Sequence, residues 1–325
     1  MSKIYEALRQ AEADRSKNGS AYPGPATATE EIAPAPIEPV AASTAFRAQI
    51  APIVMRDEPA KPLQVLEPRV DADSVVDLSR VPLVEWNPSF IRLPSLDPQG
   101  PAVEQFRSLR SRMQEFRDLN SLKSVLVSSG LPQEGKSFVA ANLAVSLARH
   151  KSARVLLIDG DMRRATLHEM LGAPITPGLT EYLAGTASIV EVMQRAAPLA
   201  NGSAISAGLA SLTFIAAGKE HDKAADLSGN RRFQQLIAAV SPHFDWIVVD
   251  SSPVNLVSDG VNLARACDAV LLVARGGVTR YEVAQRAVAE LKSSKILGLV
   301  LNAVVNPPIA GGYYGYDGYD KIETK

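Results

Sequence analysis

Between Ser124 and Asp161 the chain reads SVLVSSGLPQEGKSFVAANLAVSLARHKSARVLLIDGD. This stretch limits the fold more than any other. A short apolar strand, Val125 to Val127, runs into Gly130, four further residues, and then Gly135-Lys136-Ser137. A helix-forming run with apolar residues at helical spacing follows, from Phe138 to Arg149. This is G-x-x-x-x-G-K-[ST] with a strand before it and a helix after it, the setting in which such a loop binds nucleotide phosphates. Gly130 and Gly135 let the backbone bend so that its N–H groups face inward, and the helix N-terminus adds a positive dipole end. Lys136 is positioned to reach the β- and γ-phosphates, and the Ser137 hydroxyl to ligate Mg²⁺.

The rest of the C-terminal two-thirds alternates apolar strands with helices. Strands are expected at 154–158, 212–216, 245–249, 269–274 and 296–300, and helices at 231–240 and 280–291. Two further short helices are expected at 178–184 and 188–196. Continuous apolar strands separated by helices imply an α/β fold, a mostly parallel, doubly wound sheet covered on both faces. Two of the strands end in acids. The strand at 154–158 closes on Asp159-Gly160-Asp161, and DWIVV closes on Asp250. Open α/β sheets bind ligands at the carboxyl ends of their strands, so these acids are active-site candidates. An acid opposite a phosphate loop is where Mg²⁺ is ordered. Met162-Arg163-Arg164 brings two cations beside the phosphates, either catalytic or merely solvated. Asn302 ends the last strand, where it either reads an adenine edge or caps the turn.

Composition sets the outer bounds. The 325 residues carry a net charge of −1, which argues against wholesale nucleic-acid binding. A single cysteine, Cys267, excludes an intrachain disulfide framework and is read as a buried small residue. No apolar run approaches the ~20 residues of a membrane span. The N-terminus lacks a signal-peptide core, so the expected location is cytoplasmic. Ser2 to Asp14 patterns as a short amphipathic helix (residues 1–18), either a docking element or a frayed end. Of the 22 prolines, 14 lie between Pro23 and Pro101. Residues 19–100 therefore read as a largely disordered linker, with 80–86 and 89–93 left open as segments lying along the domain.

The folded domain is expected over 101–310. It opens with a helix, PAVEQFRSLRSRMQEFRDL, whose apolar stripe is Val103, Phe106, Leu109 or Arg110, Met113 and Phe116. Glu104, Arg107 and Arg110 lie three apart on a neighbouring row, either as an intrahelical ion pair or as a contact between subunits. Residues 311–325 differ from everything before them. Tyr313, Tyr314, Tyr316 and Tyr319 are four of the chain's eight tyrosines, interleaved with glycines and aspartates. Such a flexible cluster on a nucleotide-binding domain reads as a set of phosphate acceptors.

Taken together, these features resemble the bacterial tyrosine kinase family, the autokinases of capsule and exopolysaccharide biosynthesis. The resemblance covers the chain from about Pro101 onward. It rests on the E-x-x-R-x-x-R helix, the loop Gly130 to Ser137, LLIDGDMRR, WIVVDSSP and the tyrosine cluster, in that order. It implies a P-loop domain of MinD/ParA type that binds ATP through Gly130, Gln133, Glu134, Gly135, Lys136, Ser137, Phe138 and Asn302. It implies Mg²⁺ at Ser137, Asp161 and Asp250, with Asp159 the expected proton acceptor from the incoming tyrosine hydroxyl. It also implies a ring-shaped oligomer through Glu104, Arg107 and Arg110, with each tail phosphorylated by the next subunit. The expected partner is a separate membrane-spanning chain-length regulator of polysaccharide synthesis, which would hold the protein at the inner membrane.

Two departures stand out. Ser251-Ser252-Pro253 replaces the family's usual Thr-Pro-Pro, and AADLSG at 224–229 replaces a proline- and leucine-rich run. The rival readings are a ParA/MinD-like ATPase switch and a nucleotide-binding scaffold with little kinase activity. The switch proteins carry a lysine directly after the first loop glycine, where this chain has Leu131.

Overall fold

The computed structural model describes residues 76–97, 99–150, 153–198, 209–219, 224–229 and 231–305. The helix expected at Ser2 to Asp14, the linker up to residue 75 and the tyrosine cluster lie outside them. Among the described residues, eight strands form one sheet in the order β1-β4-β5-β3-β6-β2-β7-β8. In chain order the elements are β1 (Leu83–Val84), α1 (Pro101–Asn120), β2 (Ser124–Ser129), α2 (Lys136–Ala148), β3 (Val155–Asp159), α3 (Leu167–Leu171), α4 (Leu179–Ala184) and α5 (Ile189–Val192). Then come β4 (Met193–Ala196), β5 (Leu212–Ile215), α6 (Ala224–Ser228), α7 (Arg231–Val240), β6 (Trp246–Asp250), α8 (Asp259–Ala264), β7 (Ala269–Arg275), α9 (Tyr281–Glu290) and β8 (Ile296–Asn302).

The central strands pair parallel, and their apolar residues divide between two cores. Val125, Val127, Leu157, Trp246 and Val248 join one face with α1, α2 and α3. Leu126, Leu156, Ile158, Ile247 and Val249 join the other, with residues from α4, α5, α7, α8 and α9. That is the two-residue alternation of a strand buried on both sides, and it is what a doubly wound sheet requires. β6 lies between β2 and β3, with Val127 opposite Asp250 and Asp250 opposite Asp159 in register. This order brings the phosphate loop and both acidic strand ends to one edge of the sheet.

Three expectations change. Described residues ahead of Pro101, from Val76 on, already pack into the domain's cores. Trp86, Leu93 and Leu96 are buried against the first core despite the surrounding prolines. Trp86 stacks edge-on against Phe214 at 6.1 Å, and its indole N–H donates to Gln194. Asn142 of α2 fastens the same segment, accepting from the Ser95 amide and donating to the Arg92 carbonyl. Second, residues 188–196 are not one helix. After one helical turn, Met193–Ala196 extends as β4, antiparallel to β5, with Met193 and Gln194 buried. Third, Phe116 does not join the α1 stripe. Val103, Phe106 and Met113 are buried, whereas Phe116 is 38% exposed. Cys267 is only half-buried, against the second core. The departure at 224–229 folds as α6, with Leu227 and Ser228 buried.

Candidate active site

The loop after β2 has the shape that the glycines predict, for two different reasons. Gly135 has φ +93°, and a Cβ there would run into the Asn302 side chain. Gly130 has ordinary backbone angles, but a Cβ would come within 2.8 Å of the Val283 side chain, so its need is close packing. Gln133 also takes a left-handed conformation, φ 64°. α2 starts at Lys136 and leaves its first amides pointing at the mouth of the loop.

Lys136 reaches across to the acids. Its ammonium donates to Asp161 at 2.7 Å and to the Ser137 hydroxyl at 3.2 Å, and stands 3.9 Å from Asp250. Burial alone would lower its pKa. The attraction of Asp250 first, then Asp161 and Asp159, outweighs this and holds the group protonated above its usual range.

The three aspartates are treated differently by their surroundings. Asp159, fully buried, accepts long bonds from the amides of Asp161 (3.3 Å), Thr166 (3.3 Å) and Leu167 (3.1 Å). Burial raises its pKa well above the ordinary carboxylate range, with Asp250 adding to the rise and the Leu167 amide opposing it. Asp161 holds Lys136 and accepts from the Arg164 amide at 3.2 Å. Asp250 is completely buried, and neither of its carboxylate oxygens has a hydrogen bond of normal geometry. Burial lifts its pKa to about 6, held back by Lys136 and the Ser137 hydroxyl. A buried carboxylate without hydrogen bonds is costly, and beside Lys136 at 3.9 Å its oxygens are open to a further cationic partner. Among the described residues no three His, Cys, Asp or Glu side chains form a ready cage. A hydroxyl, one or two carboxylates and phosphate oxygens nevertheless make up the donor set that Mg²⁺ takes. Ser137, Asp161 and Asp250 therefore fit that ion.

Other candidates sit elsewhere or act differently. Glu134 is 4% exposed and turns its carboxylate into the loop rather than outward. Asn302 donates to the Glu134 carbonyl at 3.0 Å, so its amide rests on the loop backbone. Arg163 pairs at 2.5 Å with the buried Asp259 of α8, which also accepts from Ser228. Asp259, the first residue of α8, lies outside the motifs that the sequence singles out. Glu104 pairs with Arg107 within α1. Arg110 bends toward its own domain and donates to the Ser146 carbonyl at 2.9 Å. Phe138, on the first turn of α2, packs its ring against Phe106 at 5.8 Å.

The AAA domain family matches residues 133–282. The tyrosine-protein kinase Wzc of Salmonella typhimurium is 32% identical over 228 residues, covering 69% of this chain but only 30% of the relative's own length. The tyrosine-protein kinase CpsD of Streptococcus agalactiae is 31% identical over 225 residues, 68% of this chain and 91% of CpsD. The kinase domain of the Escherichia coli tyrosine kinase ETK superposes with a TM-score of 0.60 at 28% identity, over 71% of this chain and 86% of that domain. The AAA match takes in Lys136, Ser137 and both acidic strand ends, and the likeness to CpsD over most of that kinase's length places the chain in the bacterial tyrosine kinase family.

Proposed function

We propose that the protein is an ATP-dependent tyrosine autokinase whose acceptors are its own C-terminal tyrosines, Tyr313, Tyr314, Tyr316 and Tyr319. The observation that carries this reading is the grouping of Lys136, Asp159, Asp161 and Asp250 at the ends of three adjacent strands, with Asp250 left without hydrogen bonds. Lys136 and the amides of the loop and α2 bind the ATP phosphates. Ser137, Asp161 and Asp250 would hold Mg²⁺, which would supply charge neutralisation for the transferring phosphoryl group. Asp159 takes the proton of the tyrosine hydroxyl. Its raised proton affinity suits that task, and its three amide bonds fix where the carboxylate sits. Asn302 lines the adenine end.

Transfer occurs between subunits of a ring built through the α1 row Glu104, Arg107 and Arg110. A separate membrane-spanning regulator activates the kinase and holds it at the inner membrane, and the output is control of exopolysaccharide or capsule polymerisation and export. The names of the relatives support the kinase reading. Among the described residues no helix is long and apolar enough to cross a membrane, which is compatible with a separate regulator.

The test is phosphosite mapping by mass spectrometry after incubation of the full chain with Mg-ATP, beside Lys136→Ala. Phosphate on the four tail tyrosines in wild type alone is the expected result. A bare tail with continuing ATP hydrolysis, repeated with the regulator's cytoplasmic segment, contradicts the proposal and favours the ATPase switch.

A further inference from the structure

We infer that Glu134 is a positioning residue that locks the phosphate loop closed from within, and that Thr279 is its outer anchor. This rests on the reading of the loop as a nucleotide site. Four contacts carry the inference. One Glu134 carboxylate oxygen accepts the Leu131 amide at 2.8 Å, bridging the loop across its own mouth. The other accepts the Thr279 hydroxyl, on the connection between β7 and α9. Thr279 is itself fixed, because its oxygen accepts the Arg275 amide at 2.8 Å. The Glu134 carbonyl accepts the Asn302 amide at 3.0 Å. On the opposite side of the turn, the Ser129 hydroxyl donates to the Leu131 carbonyl at 2.7 Å.

The loop needs such a lock. Gln133 and Gly135, on either side of Glu134, both take left-handed conformations, φ 64° and 93°. Gln133 is not glycine, so its conformation carries a steric cost that surrounding contacts must overcome. A free loop of this composition would populate other turns and aim its amides elsewhere. Glu134 supplies the contacts at its own two neighbours, in a place where an exposed acid would repel phosphate. Its negative charge is spent on an amide and a hydroxyl and it is 4% exposed, so it does not face the ligand. Leu131 gains a role in the same way. Its amide is committed to Glu134, which leaves the amides from Gln133 onward to close on the phosphates.

The lock acts on phosphate geometry and not on the adenine or on the chemical step. Because loop amides cradle the α- and β-phosphates, losing the lock should weaken ADP and ATP by the same factor. The experiment uses the full chain and fluorescent mant-ADP and mant-ATP with Mg²⁺, titrated against wild type, Glu134→Ala, Glu134→Gln and Thr279→Val. Circular dichroism confirms that each variant is folded. Misplaced donors cost one to two orders of magnitude in comparable settings. We therefore expect Glu134→Ala to raise both dissociation constants about tenfold or more. Glu134→Gln, which can accept from Leu131 and donate to Thr279, should recover most of the affinity. Thr279→Val cuts the lock from its far end and should fall between the two, even if Glu134→Ala folds poorly. Where activity is measured, KM should rise more than kcat falls.

Wild-type affinity in both Glu134→Ala and Thr279→Val would overturn the inference. So would a Gln variant as weak as the Ala variant, since charge rather than geometry would then be responsible. Failure of wild type itself to bind either nucleotide would remove the nucleotide-site reading, and the inference with it.

Discussion

The buried carboxylates gathered at this edge of the sheet are treated in opposite ways. In the phosphate loop, Glu134 is satisfied by an amide and a hydroxyl. At the end of β3, Asp159 is likewise held, by three amides. At the end of β6, one strand over, Asp250 is just as buried and has no hydrogen bond to either oxygen. The first two acids shape the backbone around them. The third makes no such bond and is only approached by Lys136 at 3.9 Å, while burial raises the pKa of both strand-end acids, that of Asp250 to about 6. The contrast separates acids that build the site from the acid kept open for a cation.

The sharpest way to break this contrast is to remove the charges one at a time. Asp250→Asn should cut phosphotyrosine formation by about 10³-fold, the scale of losing a key electrostatic group at a reacting phosphate. It should also stabilise the ligand-free domain by about 1 kcal/mol, because an ionisable group no longer pays for burial. Asp159→Ala should lower activity too, but with the opposite effect on stability. Three amides lose their acceptor, and chemical denaturation should report a loss of about 2–3 kcal/mol. If both variants shifted stability in the same direction, the distinction between held and open acids would fail.

The second test is pH. Asp250 has a folded-state pKa raised from 3.8 to about 6, so its contribution to stability is present below about pH 4 and lost as pH rises through 6. Between pH 4 and 7 the wild type should therefore lose about 2 kcal/mol relative to Asp250→Asn, read as diverging thermal midpoints without ligand. Parallel midpoints across that range would show that the carboxylate is not strained. The smallest effect serves as a control. Glu169 pairs with Arg92 at 3.1 Å, with both side chains more than half exposed, so Glu169→Gln should change stability by less than about 0.5 kcal/mol. A larger cost there would mean that surface pairs, not buried ones, govern the energetics of this domain.

Much of this arrangement could be read from the residues. The loop motif fixed the positions of Gly130, Gly135, Lys136 and Ser137, and the apolar runs ending in Asp159 and Asp250 placed both acids at strand ends. Continuous apolar runs alternating with helices implied the parallel sheet covered on both faces. What escaped was decided by contacts distant in sequence. Trp86 lies in a proline-rich stretch and earns its place only through Phe214 and Gln194, more than 100 residues away. Met193–Ala196 continues a helical pattern but pairs with β5, whose edge could not be seen in the local sequence. The role of the Glu134 carboxylate escaped because nothing near it announced Thr279, 145 residues on. Arg163 faces Asp259 for the same reason.

The most direct single measurement follows Asp250→Asn beside wild type, recording the ligand-free thermal midpoint and then tail phosphotyrosine after addition of Mg-ATP. The account predicts a variant with a higher midpoint and a bare tail. A variant that melts lower than wild type and still phosphorylates Tyr313 to Tyr319 would contradict it.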